Sequence, residues 1–451
     1  MDQIIKDLEY LGMSSTGIKL FSNLVQKYRS GPAKITDWKS VESPSTDSLL
    51  QYDSLETPGD SKLQNQLSRL VVCKLNGGLG TSMGCKGPKS AIPVCDGQSF
   101  LDMIVEHIAH INQDYHTQVP LLLMNSFYTH NDTLEMVRRY GDRLQVQSFC
   151  QNRFPRLNTN TGSPIGEEFG QERWYPPGHG DFYSCIQEQG ILDQFLQQGK
   201  DILFVSNTDN LGAGIDLKIL DLMISKSIPF LMEMTPKTSA DVKGGTLYQQ
   251  DGKLKLLEIA RVPEEHLDEF CGQEKFKVFN TNNIWINLAQ LKAKLEAGPM
   301  DLGVIVNQKK VGDLSVVQLE TAIGSALDNF ASAVGLTVSR DRFRPVKTTS
   351  DLFLIQSDLF VRENGILHLN PERQTEGLPS IQFGETFKHL QDYNSRIPEI
   401  PSLLGLRSLE VRGDVRFAGR STLQGDIRLI ANDKPLIIEE DSFLQNAVIE
   451  Q

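Results

Sequence analysis

The segment Leu75–Lys89 reads LNGGLGTSMGCKGPK and follows directly on the apolar run Leu70–Val72. It contains five glycines and two lysines. Because glycine has no Cβ and reaches positive φ angles, its backbone N–H groups can approach and surround an anion. The lysines add fixed positive charge beside them. The segment therefore predicts a loop that binds the phosphates of a nucleotide at the carboxyl end of a strand.

The residues on either side of this loop favour the same interpretation. The apolar run before it is typical of a strand, and apolar residues after it recur at the spacing of a helix, at Phe100, Ile104, Ile108 and Ile111. A strand, a glycine-rich loop and a helix in this order form the usual setting of a phosphate site. The alternative is a flexible glycine-rich turn on the surface.

Two familiar phosphate motifs do not match this loop. A P-loop needs a glycine, four residues and then Gly-Lys-Ser/Thr, but Gly87–Ser90 reads GPKS and Ser82 stands where the first glycine belongs. The dinucleotide pattern GxGxxG starts at Gly78 and fails at Met83. The sequence thus supports neither a P-loop ATPase nor a Rossmann dehydrogenase.

Short apolar runs alternate with helical stretches through the middle of the chain. Examples of these runs are VPLLLMNS, DILFVSN and IPFLMEMT. Such alternation predicts an α/β core with a largely parallel sheet, in which ligands bind at the carboxyl ends of the strands. Both the 75–89 loop and the segment SNTDN after DILFVSN would lie at that edge.

Composition narrows the class of protein. A net charge of −12 and a pI near 5.3 argue against a general nucleic-acid binder. The six cysteines form no CxxC pair and accompany no histidines at zinc spacing, so we expect reduced thiols. The N-terminus lacks a secretory signal, and no segment approaches the roughly 20 apolar residues of a membrane span. These features predict a cytoplasmic protein without membrane or nucleic-acid partners.

Changes in residue composition and pattern along the chain predict three segments. Residues 1–62 combine a helical pattern up to Ser30 with a connection rich in Ser, Pro and Asp, and residues 63–397 form the α/β core. Residues 398–451 carry short β-prone pieces with a loose repeat around Gly413 and Gly425. From pattern alone, a small antiparallel β domain is the alternative for this last segment.

Eight segments in the same order resemble the eukaryotic-type UTP–glucose-1-phosphate uridylyltransferases, also called UDP-glucose pyrophosphorylases. They are the 75–89 loop with Ser90, MNSFYTHNDT (124–133), WYPPGHGD (174–181), FVSNTDNLGA (204–213), ADVKGGTL (240–247), KFKVFNTNNIWINL (275–288), VVQLETAIGSAL (316–327) and RPVKTTSDL (344–352). The resemblance implies a Rossmann-like (GT-A-type) nucleotidyltransferase core with a mixed sheet, and a C-terminal left-handed β-helix. In parts of the family that last domain mediates self-association.

The family's activity is the Mg²⁺-dependent, reversible conversion of UTP and glucose 1-phosphate to UDP-glucose and pyrophosphate. The second pKa of a phosphate monoester is near 6, so the sugar phosphate is already a nucleophile at neutral pH and no general base is needed. The protein must align two anions and stabilise the charge that develops during transfer. The resemblance assigns this role to Lys89 and Lys347, with Asp209 holding Mg²⁺.

Other residues match the family's substrate contacts. The resemblance assigns the uridine and phosphate contacts to Leu75, Asn76, Gly77, Gly78, Gln151 and Gly178. It assigns a substrate contact to His179 and another, next to the metal-binding aspartate, to Asn207. It assigns the sugar pocket to Gly245, Glu258, Asn280 and Asn282, and the neighbourhood of the sugar phosphate to Lys309. Amides and a carboxylate suit a neutral ring with many hydroxyl groups.

Two other functions are compatible with these patterns. One is a related pyrophosphorylase that uses N-acetylglucosamine 1-phosphate or several sugars, although the TSMGCKGPK and NTNN segments favour glucose. The other is an inactive nucleotide-sugar sensor or a scaffold that assembles through its β-helix. The presence of Lys89, Asp209 and Lys347 together argues against the second.

Overall fold

The computed structural model of this protein describes residues 2–31, 37–238, 241 and 244–451. The chain forms two compact units, each built from separate stretches of sequence. The first unit comprises Met1–Gly77, Asn112–Asn207 and Ile215–Arg340, and the second comprises Gly78–Ile111, Thr208–Gly214 and Asp341–Gln451. The division of the sequence into residues 1–62, 63–397 and 398–451 stays a prediction.

The helices of the described residues are short to medium in length. In chain order they are α1 (Asp2–Tyr10), α2 (Ser15–Arg29), α3 (Asp60–Ser68), α4 (Phe100–Asp114), α5 (His130–Val137), α6 (Phe182–Glu188), α7 (Ile191–Gln197), α8 (Leu217–Ser225), α9 (Leu267–Cys271), α10 (Leu288–Ala297), α11 (Thr349–Gln356) and α12 (Leu390–Arg396).

The strands fall into one large sheet and several small ones. The first half of the strands are β1 (Leu49–Gln51), β2 (Leu70–Asn76), β3 (Pro93–Cys95), β4 (Gln98–Ser99), β5 (Leu121–Asn125), β6 (Val146–Cys150), β7 (Phe154–Pro155), β8 (Leu157–Asn158), β9 (Trp174–Tyr175), β10 (Ile202–Asn207), β11 (Phe230–Pro236), β12 (Thr246–Gln250) and β13 (Lys253–Leu257). The others are β14 (Val278–Asn287), β15 (Ile305–Val311), β16 (Leu314–Glu320), β17 (Val334–Thr337), β18 (Phe360–Glu363), β19 (Ile366–Leu369), β20 (Ser380–Phe383), β21 (Ser402–Arg412), β22 (Val415–Phe417), β23 (Thr422–Ile430), β24 (Leu436–Ile438), β25 (Phe443–Gln445) and β26 (Val448–Glu450).

An eight-stranded mixed sheet forms the centre of the first unit. Its order is β1-β17-β11-β14-β10-β2-β5-β6, and all neighbouring pairs are parallel except the two that involve β14. Every residue of β2 is buried, which explains why a strand covered on both faces appears as an almost continuous apolar run. The predicted α/β core with a mixed, largely parallel sheet is confirmed.

Helices α1 and α2 form the helical N-terminus that the sequence predicts. Their apolar faces pack in one buried cluster with residues of β7, β8, β9 and β16, a cluster that includes Ile4, Leu8, Phe21, Leu24, Val25, Phe154, Leu157, Tyr175, Val317 and Leu319. Ser14 caps α2 by accepting a hydrogen bond from the backbone of Gly17. The N-terminal helices are therefore anchored to the first unit by apolar burial.

The segment after α2 contains more structure than its composition predicts. Residues 32–36, which belong to the expected connection, lie outside the described residues. Further along, β1 joins the edge of the large sheet, where Leu49 pairs in parallel with Gly335 of β17. This strand has only three residues, and its pairing depends on a partner far away in the sequence.

The C-terminal strands of the second unit pair in parallel along the chain. Strands β20, β21, β23 and β25 lie in this order, β26 also pairs with β23, and β22 pairs with β24. Leu409 of β21 pairs with Ile427 of β23, and Arg428 of β23 pairs with Val448 of β26. The parallel pairing excludes the antiparallel domain that was the alternative from sequence. The left-handed winding stays a prediction.

Two further sequence expectations concern thiols and membranes. All six cysteines belong to the described part of the chain, and each is a free thiol. None of the helices given above combines the length and the apolar composition that crossing a bilayer requires, as far as the described residues extend. The cytoplasmic location stays a prediction.

Candidate active site

The glycine-rich loop continues from β2 into the second unit. The backbone N–H of Lys89 donates to the carbonyl of Gly78 at 3.1 Å, and Leu79 forms an isolated bridge with Pro88, so the loop closes on itself. A Cβ at Gly78 would meet no atom of the described residues within 4 Å. The short antiparallel strands β3 and β4 and then helix α4 follow the loop. The predicted order of strand, glycine loop and helix is confirmed, with open space at Gly78.

Lys89 and Asp209 form an ion pair within the second unit. The Lys89 Nζ lies 2.6 Å from Asp209 Oδ2, and the two side chains are only 14% and 17% exposed. The backbone carbonyl of Asp209 accepts a hydrogen bond from Val346 N at 3.1 Å. Asp209 therefore lies beside both the glycine-rich loop and the segment that carries Lys347.

Lys347 has a fixed backbone and an exposed side chain. Its N–H donates to Asp351 Oδ2 at 2.9 Å, and its carbonyl accepts a hydrogen bond from Ser82 Oγ at 3.4 Å. Asp351 also forms a capping box with Thr348 at the start of α11. These contacts hold the main chain while the ε-ammonium group remains in solvent. The structure thus brings the three predicted catalytic residues together in the second unit.

In the first unit, Gln151 packs against the end of β2. Its backbone N–H donates to Asn125 O at 2.8 Å, and its Nε2 lies 2.5 Å from the position that a Cβ would take at Gly77. The Gln151 Oε1 is buried and has no hydrogen-bond partner among the described residues. A buried amide oxygen without a donor is costly, so a donor from outside the described residues, such as a water molecule or a ligand, would stabilise it.

The other predicted residues near this strand end have different positions. The side chain of Asn76 lies in the interior, where its Nδ2 donates to Asn125 Oδ1 at 2.7 Å and to Thr133 Oγ1 at 2.9 Å. Leu75 is buried and pairs with Asn207 at the carboxyl ends of β2 and β10. These two parallel strands therefore end side by side, as expected for a ligand-binding edge.

Gly178 and His179 pack against the turn that follows β16. Gly178 has a φ of +83°, and a Cβ there would lie 2.5 Å from the carbonyl oxygen of Thr321. The Nδ1 of His179 accepts a hydrogen bond from Ile323 N–H at 2.9 Å. Burial also lowers the pKa of His179 to about 4. Because a backbone N–H can only donate, the neutral ring carries its proton on Nε2 and offers it as a donor.

We expect His179 to stay neutral from about pH 5 to pH 8, since its lowered pKa lies below this range. Nitrogen-15 NMR of histidine-labelled protein should show one ring that keeps its proton on Nε2 throughout. The His179→Gln variant identifies the signal of this ring by its loss. A shift of that signal near pH 6.5, the ordinary histidine value, would show that the ring ionises and would contradict the assignment.

Four residues assigned to the sugar pocket lie together in the first unit. The carbonyl of Gly245 accepts from Asn280 N at 2.9 Å, and a Cβ at Gly245 would lie 2.6 Å from Glu258 Oε1. Asn280 Nδ2 donates to Asn282 Oδ1 at 3.1 Å, and burial raises the pKa of Glu258. Residues 240, 242 and 243 of the quoted segment ADVKGGTL lie outside the described residues. The group offers amides and a carboxylate at one place.

Lys309 lies apart from these contacts, on the exposed face of β15, where it pairs with Val316. Burial raises the pKa of Glu320. The hydrogen bond from Asn307 and the positive charge of Lys309 act in the opposite direction and lower it. The Cβ of Glu320 in turn lies 3.0 Å from the position of a Cβ at Gly178. Lys309 is thus connected to the Gly178 turn through Glu320.

Sequence reasoning missed two buried carboxylates that support these groups. Asp181 accepts hydrogen bonds from Asn152 N at 2.7 Å and Nδ2 at 2.9 Å, so it links the residue after Gln151 to the turn after His179. Asp181 is the last residue of the family-like segment WYPPGHGD, and this position could have marked it as a candidate. Glu233 lies in the apolar run IPFLMEMT, where a charged residue in a buried strand was the signal.

Comparison with known proteins supports the resemblance over nearly the whole chain. The family model described as UTP–glucose-1-phosphate uridylyltransferase matches residues 18–424. A UTP–glucose-1-phosphate uridylyltransferase of Pyrus pyrifolia is 46% identical over 438 residues, which cover 96% of this chain and 93% of the relative. One from Solanum tuberosum is 47% identical over 419 residues, which cover 91% and 87% of the two chains.

Solved structures match to the same extent. The crystal structure of a UDP-glucose phosphorylase from Trypanosoma brucei has a TM-score of 0.87 and 36% identity, covering 99% of this chain and 98% of the other. A mutant UDP-glucose pyrophosphorylase from Leishmania major, solved in complex with UDP-glucose, has a TM-score of 0.87 and 30% identity with the same coverage. By sequence and by structure, this chain belongs to the UTP–glucose-1-phosphate uridylyltransferase family.

Proposed function

We propose that this chain transfers the uridylyl group of UTP to glucose 1-phosphate, producing UDP-glucose and pyrophosphate in a reversible reaction. Membership of the family supports this activity. The observation that carries the proposal is the ion pair of Lys89 and Asp209, whose backbone is hydrogen-bonded to Val346, the residue next to Lys347, in the second unit. The substrates and products are small molecules.

The reaction needs positive charge more than it needs a base. A phosphate oxygen of glucose 1-phosphate forms a bond to the α-phosphorus of UTP, while the bond from that phosphorus to the bridging oxygen breaks and pyrophosphate leaves. The nucleophile is deprotonated at neutral pH, so no side chain has to remove a proton. Charge on the transferring phosphoryl group and the leaving group must be neutralised, and positioned cations do this.

Lys347 and Lys89 provide that charge in this proposal. Lys347 contacts phosphate oxygens of both substrates at the reacting centre, for which its exposed ammonium group is free to reorient on a fixed main chain. Lys89 contacts the phosphates of the nucleotide, and the open space at Gly78 allows them to approach the backbone of the loop. Lys89 must then exchange part of its contact with Asp209 for phosphate.

Asp209 fits a magnesium ion. Its carboxylate is a hard oxygen donor that reaches the surface, and Mg²⁺ usually takes one or two carboxylates together with substrate phosphates. Bound Mg²⁺ would neutralise negative charge on the phosphates. Lys89 Nζ lies 2.6 Å from Asp209 Oδ2 and balances its charge.

The first unit recognises the base and the sugar in this proposal. Gln151 Oε1, buried without a donor, accepts a hydrogen bond from the uracil N–H, and Gly77 lets the base approach the backbone. His179 donates from Nε2 to a substrate oxygen, and Glu258, Asn280 and Asn282 bind hydroxyl groups of the sugar. The other substrate contacts in this proposal are made by Leu75, Asn76, Gly178, Asn207, Gly245 and Lys309.

The C-terminal strands carry a further part of the proposal. Their parallel pairing along the chain is what a β-helix requires, and we propose that they wind in the left-handed sense of the family. Self-association through this domain is proposed on the same resemblance.

Pyrophosphate release tests the activity. Purified protein is incubated with UTP and glucose 1-phosphate, galactose 1-phosphate or N-acetylglucosamine 1-phosphate, each with Mg²⁺ and with EDTA. We expect release that requires the metal and strongly prefers glucose 1-phosphate. Preference for N-acetylglucosamine 1-phosphate, or equal release with all three, would replace glucose by another substrate range. No release above a Lys347→Met control would overturn the proposal in favour of a sensor.

A further inference from the structure

A buried glutamate lies behind the two asparagines of the sugar pocket. Glu233 on β11 is fully buried, and both oxygens of its carboxylate accept hydrogen bonds from β14. Asn283 Nδ2 donates to Oε2 at 3.1 Å, and Trp285 Nε1 donates to Oε1 at 2.9 Å. A charge inside a sheet is retained only where hydrogen bonds compensate it, so this arrangement is costly to build for packing alone.

Glu233 lies opposite an irregularity in the pairing of the two strands. Met232 pairs with Ile284 and Met234 pairs with Asn280, so Glu233 alone faces residues 281–283. At the centre of this bulge Asn282 has a φ of +59°, a left-handed conformation that is uncommon outside glycine. Bulges of this kind change the direction of side chains and occur next to active sites.

Hydrogen bonds from both sides of Asn282 hold the bulge to Glu233. Thr281 Oγ1 donates to the backbone carbonyl of Glu233 at 2.7 Å, and the same hydroxyl accepts from Asn283 N at 3.1 Å. Thr281 and Asn283 are buried, while Asn282 between them is half-buried. Residues 281 and 283 thus face Glu233, and residue 282 faces the other way.

The asparagines on the opposite side are oriented by this arrangement. Asn282 N donates to Asn280 Oδ1 at 2.9 Å, and Asn280 Nδ2 donates to Asn282 Oδ1 at 3.1 Å. Asn280 is also confined by Gly324, where a Cβ would lie 3.3 Å from its Nδ2. These contacts fix the orientation of the two asparagines.

We infer that Glu233 is a positioning residue for sugar recognition: it holds the 281–283 bulge that presents Asn280 and Asn282 to the hydroxyl groups of the sugar phosphate. The inference rests on the proposed function, because it deepens the role assigned to those asparagines. Glu233 itself faces Thr281 and Asn283, away from Asn280 and Asn282, and is proposed to make no contact with the substrate. Its loss should weaken recognition of the sugar and leave recognition of the nucleotide intact.

Steady-state kinetics of Glu233→Gln and Thr281→Val test this. In both variants the KM for glucose 1-phosphate should rise, by about tenfold for Glu233→Gln, and the KM for UTP should change by less than about twofold. The preference for glucose over galactose 1-phosphate should fall in parallel. Thr281→Ser keeps the hydroxyl and should behave like the wild type. Thr281→Val provides the same test should Glu233→Gln fail to fold.

A matched control comes from the same strand. The Thr235 hydroxyl is buried and has no hydrogen-bond partner in the described part of the chain, so Thr235→Val should leave both KM values unchanged. Calorimetry provides a second readout, in which Glu233→Gln and Thr281→Val weaken binding of UDP-glucose but not of UDP.

The possible results separate the two claims. If the wild type neither releases pyrophosphate nor binds UDP-glucose, the proposed function is wrong. If the wild type is active and the variants raise both KM values equally or neither, Glu233 is only a structural residue and this inference is overturned.

Discussion

Replacing Lys347 with methionine should lower kcat by about 10³-fold, the effect of removing a cation that stabilises a transferring phosphoryl group. The fold should be unaffected, because the side chain is exposed and the hydrogen bond to Asp351 uses the backbone N–H, which methionine retains. Initial rates of pyrophosphate release measure the loss. A thermal melt should show a Tm close to that of the wild type.

A second exposed lysine of the same unit provides the control for this experiment. Lys388 pairs with Glu385 on the surface at 3.1 Å, and Lys388→Met removes an equal charge. We expect little change in Tm, since exposed ion pairs contribute at most about 1 kcal/mol to stability, and little change in rate, since Lys388 is not among the residues assigned to the substrates. If Lys347→Met and Lys388→Met retain similar activity, Lys347 has no role in the reaction and the assignment is wrong.

Asp209→Asn should reduce activity by at least about 10²-fold and remove the response of the rate to Mg²⁺. The substitution keeps the shape of the side chain but replaces the charged oxygen donor with an amide. Calorimetric titration with Mg²⁺ in the presence of UTP provides a readout that is independent of turnover, and we expect the variant to show much weaker metal binding.

Lys89→Met separates a metal-binding role of Asp209 from a role in the ion pair alone. Both variants break the 2.6 Å contact, but Lys89→Met leaves the carboxylate in place. We therefore expect Lys89→Met to weaken UTP binding and to retain the dependence on Mg²⁺. Identical behaviour of the two variants would mean that Asp209 only pairs with Lys89.

Features encoded by neighbouring residues could be predicted from the sequence. The order of β2, the glycine loop and α4 follows from an apolar run, a cluster of glycines and a helical spacing that all lie between residues 70 and 114. The position of Asp209 two residues beyond β10 follows in the same way. For these elements, local propensity and tertiary structure agree.

Features that depend on contacts between distant residues could not be predicted. The hydrogen bond from Ile323 N–H to His179 determines which ring nitrogen carries the proton, and no sequence pattern at either position predicts it. The same holds for Glu233, whose partners lie on another strand, and for β1. Most roles of single residues came from family resemblance, because an isolated asparagine or glutamine is compatible with many turns and caps.

The pairing of β1 with β17 has a consequence for how the chain is made. Leu49 leaves the ribosome long before its partner Gly335, and at about 5–20 residues per second the intervening chain takes on the order of tens of seconds to synthesise. Over the same period the apolar faces of α1 and α2 cannot yet pack against Val317 and Leu319. The nascent N-terminal half therefore exposes part of its apolar surface until these strands emerge, and we expect aggregation to compete with folding most strongly at this stage.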